Sequence, residues 1–96
     1  MRFINVGYGN LVALERIVSV AAPDSAPIKR IVMDAKESGR AIDLCCGKKC
    51  RSVIICDTDQ VITSSLSLES ITQRITSVSG EDEYYEKDTV EEDENE

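Results

Sequence analysis

The sequence predicts a small α+β domain, an antiparallel sheet with two helices over residues 1–79, followed by a disordered acidic tail at 80–96. Three observations carry this prediction. Short runs dense in branched residues, such as "IVSVAA", "SVIIC" and "VITSSL", read as strands and are set apart by glycine- or aspartate-bearing breaks. The stretch "PDSAPIKRIVMDAKESGR" switches to helical spacing, with punctuation at both ends. The charge also divides sharply. Residues 1–79 hold ten Lys/Arg against eight Asp/Glu, and residues 80–96 hold one lysine against ten acids, so a body of +2 carries a tail of −9 within the overall −7. A tail of that composition cannot bury enough apolar surface to offset the entropy of ordering it.

The opening "RFINVGYGNLVALERIVSVAA" is β-like, and Gly7, Gly9 and Asn10 supply a turn between two strands. If residues 10–22 formed one regular strand, Val12, Leu14, Arg16, Val18 and Val20 would share a face, placing a guanidinium in an apolar row. The chain is therefore expected to bend or bulge near Glu15 and Arg16, or Arg16 emerges where a face ends and solvent or a ligand begins. The helix follows, with Asp24 or Ser25 as N-cap, Pro27 in the first turn and Gly39 just past the end. Its buried face is read as Ile28, Ile31, Val32 and Ala35. "AIDLCC" and "SVIIC" read as strands of a meander around "GKKCR", which places Lys48 and Lys49 at a hairpin tip and Arg51 in the next strand. "DTDQ" turns that strand into "VITSSL", and "SLESITQRI" closes the body as a helix capped by Ser67 or Ser70, with Ile71 and Ile75 packing inward.

No apolar run approaches the roughly 20 residues that span a bilayer, and the start lacks the apolar stretch of a secretory signal. The expectation is a cytoplasmic protein with no membrane partner and reduced thiols. A body of about 79 residues buries only about 60–65% of its unfolded surface. Self-association would stabilise it.

"CCGKKCR" at residues 45–51 admits a metal site, a redox switch or a phosphate-contacting loop. Zinc wants four thiolate or imidazole ligands, commonly in two close pairs; the pattern here is C-C-x3-C-x5-C and the chain has no histidine. Cys45 and Cys46, adjacent in a strand, point to opposite faces, and Cys56 sits in an apolar run where a buried thiol is ordinary. No metal or other cofactor is expected. The cations Lys48, Lys49 and Arg51 would bring Cys50 into a redox reading by lowering its pKa, and they would equally suit phosphate. Without histidine there is no Ser-His or Cys-His pair, and no phosphate-binding G-x-x-x-x-G-K-[ST] loop appears. Asp57 and Asp59 read as a polar turn. The protein is therefore not expected to be an enzyme, and no small-molecule substrate is evident.

Residues 3–75 resemble the RemA family of small bacterial DNA-binding regulators of extracellular-matrix genes. The likeness rests on "SAPIKR" and on the ordered series G-x-G-N, helix, I-D, G-[KR]-[KR]-x-R and D-x-D. The resemblance implies a cytoplasmic transcriptional regulator, a ring of identical subunits that binds double-stranded DNA. It further implies that Arg16 matches the family's DNA-contacting arginine, that Lys48, Lys49 and Arg51 match its basic hairpin, and that Pro27 matches the proline of the helix start. Lysines stand here where that pattern has two arginines, and Cys45, Cys46 and Cys50 where it has threonine, tyrosine and threonine. Two other readings of the residues stay open: an oligomeric scaffold whose acidic tail binds basic partners, and a thiol-based sensor.

Overall fold

The computed structural model describes residues 1–79. The expected disordered tail at 80–96 lies outside them.

Strands β1 (Phe3–Asn5) and β2 (Leu11–Ala13) form an antiparallel pair closed by the glycine turn. Asn10 donates its N–H to the Gly7 carbonyl at 3.0 Å, and the Asn5 side chain accepts from the Gly7 N–H at 2.7 Å. A 3-10 turn over Leu14–Arg16 then breaks the chain. The bend expected near Glu15 and Arg16 is there, and it lifts Arg16 out of the apolar row.

A four-stranded sheet forms the centre, built from β3 (Ile17–Ala21), β4 (Ala41–Leu44), β5 (Ser52–Cys56) and β6 (Val61–Ser64) in the order β3-β5-β6-β4. Helix α1 (Ala26–Glu37) connects β3 to β4, and α2 (Leu68–Ser79) follows β6. The α+β class with two helices holds, but the sheet is mixed: β4 runs parallel to β6. The expected hairpin at "GKKCR" is corrected with it. Residues 45–51 instead cross the end of β6, because β5 and β6 pair directly and β4 lies beyond. Burial explains the order. β5 and β6 are buried almost throughout, whereas Ile42 and Asp43 of β4 are exposed, so the most apolar strands take the centre and β4 takes an edge.

Alternation along β5 divides the interior in two. Ile54, Cys56 and Ile62 pack with Ile4, Val6 and Ile71 beneath α2, and Val53 and Val61 pack with Ala35 beneath α1. On α1, Ile28 and Val32 join Ala35 as expected, but Ile31 is 37% exposed. Ser25 is the N-cap, accepting from the Ile28 N–H. At the other end the Arg40 N–H bonds to the Ala35 carbonyl at 2.8 Å and Gly39, at φ +77°, takes the left-handed turn. Ser67 caps α2 through the Ser70 N–H. Among the described residues no helix is long and apolar enough to cross a membrane.

Candidate functional site

The connection 45–51 is pinned at both ends. At its start one Asp43 oxygen accepts from the Cys45 N–H at 2.9 Å and from the Thr63 hydroxyl at 3.1 Å. These bonds, led by the Cys45 backbone N–H, hold the Asp43 carboxyl below its ordinary range. At its end the Arg51 N–H donates to the Ser64 carbonyl at 2.8 Å. Between them a tight turn, Lys48 N–H to Cys45 carbonyl at 2.9 Å, requires positive φ at Cys46 (54°) and Gly47 (81°). Gly47 meets this freely; Cys46 does so at a cost of about 1 kcal/mol.

Because the connection crosses the end of β6, it meets the chain leaving that strand. Lys48, Lys49 and Arg51 line one cleft of about 450 Å³ together with Gly7, Tyr8, Ser65 and Leu66. Lys48 and Lys49 are exposed and Arg51 is half-buried. The far wall is fixed by Ser64, whose hydroxyl donates to the Val6 carbonyl at 2.6 Å and accepts from the Leu66 N–H at 3.1 Å. Three cations and an exposed tyrosine ring thus share a concave surface able to receive an anionic polymer.

Arg16 is elsewhere. Its guanidinium pairs with Asp57 at 3.1 Å, and its carbonyl accepts the Asp57 N–H at 2.8 Å. Asp57 follows β5 while Arg51 precedes it, so Arg16 lies roughly 20 Å from the cation cleft, at the opposite end of the sheet. Both partners are exposed, which makes the pair worth about 0–1 kcal/mol and leaves Arg16 available to exchange partners. Pro27, second residue of α1, contributes a preset φ where no amide donor is needed.

Cys45 and Cys50 line one cleft beside α1, whereas Cys56 lies on the other face of the sheet. β4 ends at Leu44, so Cys45 and Cys46 lie in the turn and not in a strand; Cys45 is buried and Cys46 exposed. Burial pushes the Cys45 thiol up to about 11 and raises that of Cys56. Among the described residues no three Cys, Asp or Glu side chains converge to hold a metal ion. Asp57 and Asp59 close the β5–β6 turn: the Asp59 N–H bonds to the Cys56 carbonyl at 3.1 Å, at a φ of 69°.

Sequence reasoning missed the wall formed by Gly7, Tyr8, Ser65 and Leu66, since nothing local says that the first turn and the approach to α2 meet residues 45–51.

A mixed sheet with one helix on each face and cations gathered where a crossing loop meets two other segments defines a class of small α+β domains. The chain belongs to the RemA-like family, whose model, described as "Extracellular matrix regulatory protein A-like", matches residues 3–75. It is 52% identical over 75 residues to "Putative regulatory protein GK1166" of Geobacillus kaustophilus (strain HTA426), covering 78% of this chain and 86% of that one. A protein of Carboxydothermus hydrogenoformans with the same regulatory designation is 41% identical over 85 residues, covering 88% of this chain and 98% of its own length. A third so designated, from Halalkalibacterium halodurans, is 46% identical over 77 residues, covering 80% and 88%. The chain thus shares its family with proteins designated as regulatory.

Proposed function

We propose that the protein is a cytoplasmic, non-enzymatic transcriptional regulator that assembles into a ring of identical subunits and binds duplex DNA. Residues 1–79 are the binding and assembly domain, and 80–96 form an appended acidic segment. Lys48, Lys49 and Arg51 contact phosphates as one cluster and Arg16 as a separate point, and the regulated genes are those of the extracellular matrix. The observation that carries this reading is the convergence of three cations on one concave surface. The family's description supports the matrix-gene assignment. A single subunit offers few charges, so affinity comes from their repetition around an assembly, along a duplex curved to meet them.

The test is a salt titration of DNA binding with wild type, Arg16→Ala, and the triple variant Lys48→Gln, Lys49→Gln, Arg51→Gln. Every cation–phosphate interaction that a substitution abolishes should reduce the slope of log affinity against log salt by about 0.9, hence by up to about 2.7 per engaged subunit in the triple variant and about 0.9 in Arg16→Ala. Light scattering should give the same assembly mass for all three. Unchanged affinity and slope in both variants would replace this reading with that of a scaffold.

A further inference from the structure

On the α1 side of the sheet, opposite α2, lies a second cleft of about 580 Å³, within the range typical of small-molecule sites. One wall is written in the helix sequence. Lys29, Val32, Met33 and Lys36 recur at i, i+3, i+4 and i+7, so a single stripe carries an apolar centre between two ammonium groups. The facing wall is the crossing connection, with Lys48 and Cys50, and the floor is Val53 and Thr63. Among the described residues Lys29, Lys36 and Lys48 form no ion pair. Asp43 also lines the cleft: one of its oxygens takes the Cys45 N–H and the Thr63 hydroxyl, and its charge is partly offset by Lys36, so the rim carries three cations against one anion. An apolar centre with a rim of net positive charge is matched by neither a simple ion nor a neutral hydrocarbon.

We propose that this cleft binds a small amphipathic organic anion, a carboxylate or phosphate joined to an apolar body of about six to ten carbons. Ammonium groups act as point charges and accept either headgroup, while Val32 and Met33 cover the chain above buried Val53. The binding has a consequence for the cation cleft, because Lys48 lines both. A bound anion draws that ammonium away and sets a negative charge beside the loop, so ligand and DNA oppose one another, each weakening the other by the same factor. This coupling rests on the DNA-binding reading; the ligand site does not.

The experiment uses the full chain and octyl phosphate, with inorganic phosphate and octanol as headgroup and body alone, read by the methyl NMR signals of Val32, Met33 and Val53. Saturable shifts confined to those methyls are expected, with octyl phosphate binding about tenfold or more tighter than either fragment. Lys29→Gln with Lys36→Gln, exposed changes that keep good helix formers, should weaken binding roughly three- to thirtyfold, and Lys49→Gln, which lines only the other cleft, should leave it unchanged. Shifts centred instead on the separate groove between β1 and α2, lined by Phe3 and Val78, octanol binding as tightly as octyl phosphate, or an unaffected double variant would overturn the site. A DNA titration with octyl phosphate then decides the coupling. Reduced DNA affinity supports it, and unchanged affinity removes the coupling while the methyl result stands. Absence of DNA binding under every condition refutes the DNA reading and not the ligand site.

Discussion

Replacing Ser64 with alanine tests how the cation cleft is held together. Its hydroxyl is fully buried, donates to the Val6 carbonyl at 2.6 Å and accepts from the Leu66 N–H at 3.1 Å, so one side chain fastens the first turn and the approach to α2 to the central sheet. Alanine strands both backbone groups. Each net hydrogen bond is worth about 0.5–1.5 kcal/mol, and the unsatisfied carbonyl of wholly buried Val6 weights that partner toward the upper end, giving about 2–3 kcal/mol. In a body of this size each kcal/mol moves Tm by about 4–8 °C, so a fall of about 8–24 °C is expected. The assay is thermal unfolding of the full chain at one fixed protein concentration, since self-association would shift Tm with concentration. Ser65→Ala, beside it on the half-buried cleft wall, is the control and should stay within about 0.5 kcal/mol of wild type. A Ser64→Ala shift below about 3 °C would refute the reasoning, since Val6 and Leu66 would then have other partners.

Asp43→Ala removes the acceptor that starts the crossing loop; because the group is largely exposed, the loss at neutral pH should be about 1 kcal/mol or less. The folded Asp43 carboxyl lies below its ordinary 3.8, so its contribution is complete above about pH 5 and fades as pH falls through the lowered value. Denaturant midpoints of wild type and variant should therefore converge in acid, and a gap independent of pH would contradict this. Gly39→Ala has open space for its Cβ but sits at φ +77°, so calorimetry should find about 1 kcal/mol of destabilisation from backbone strain alone. A chain ending at Ser79 loses the ten carboxylates of residues 80–96. It should bind DNA more tightly at low salt, with an advantage that shrinks as salt rises, and equal affinities throughout would leave the acidic segment no part in binding.

Local signals gave the locally determined parts of the fold. The Ser25 cap, Pro27 and Gly39 delimit α1 by chemistry within a few residues, and Arg16 in an apolar row announced the 3-10 turn, because a regular strand there would bury a charge. Pairing partners were not local. "AIDLCC" followed by "SVIIC" looks like a hairpin to any reading that pairs neighbours, yet β4 reaches past β5 to lie parallel to β6. The signal that distinguishes them is the exposed Asp43 in "AIDL" against the uninterrupted "SVIIC", an edge strand against a central one. The apolarity of "SVIIC" on both faces, which invites a second subunit, is satisfied within one subunit by the two helices. For the site, Lys48, Lys49 and Arg51 were legible by adjacency, whereas their distance from Arg16 and their meeting with Tyr8 and Leu66 depend on strand order.

The same central strand imposes a constraint on the charges around it. "SVIIC" is an uncharged, β-prone run; if either helix detached, one of its faces would be open to pairing with other chains in the manner of amyloid-forming segments. Arg51 stands immediately before it and Asp57 immediately after. Charges flanking an unavoidable apolar strand act as gatekeepers against aggregation. Arg51 thus guards the unfolded chain as well as lining the cleft of the folded one, and Asp57, partner of Arg16, guards the other end. Substitutions that neutralise these positions would lower solubility during synthesis even where the folded protein tolerates them, so lysine at 51 and glutamate at 57 are the exchanges least costly to the cell.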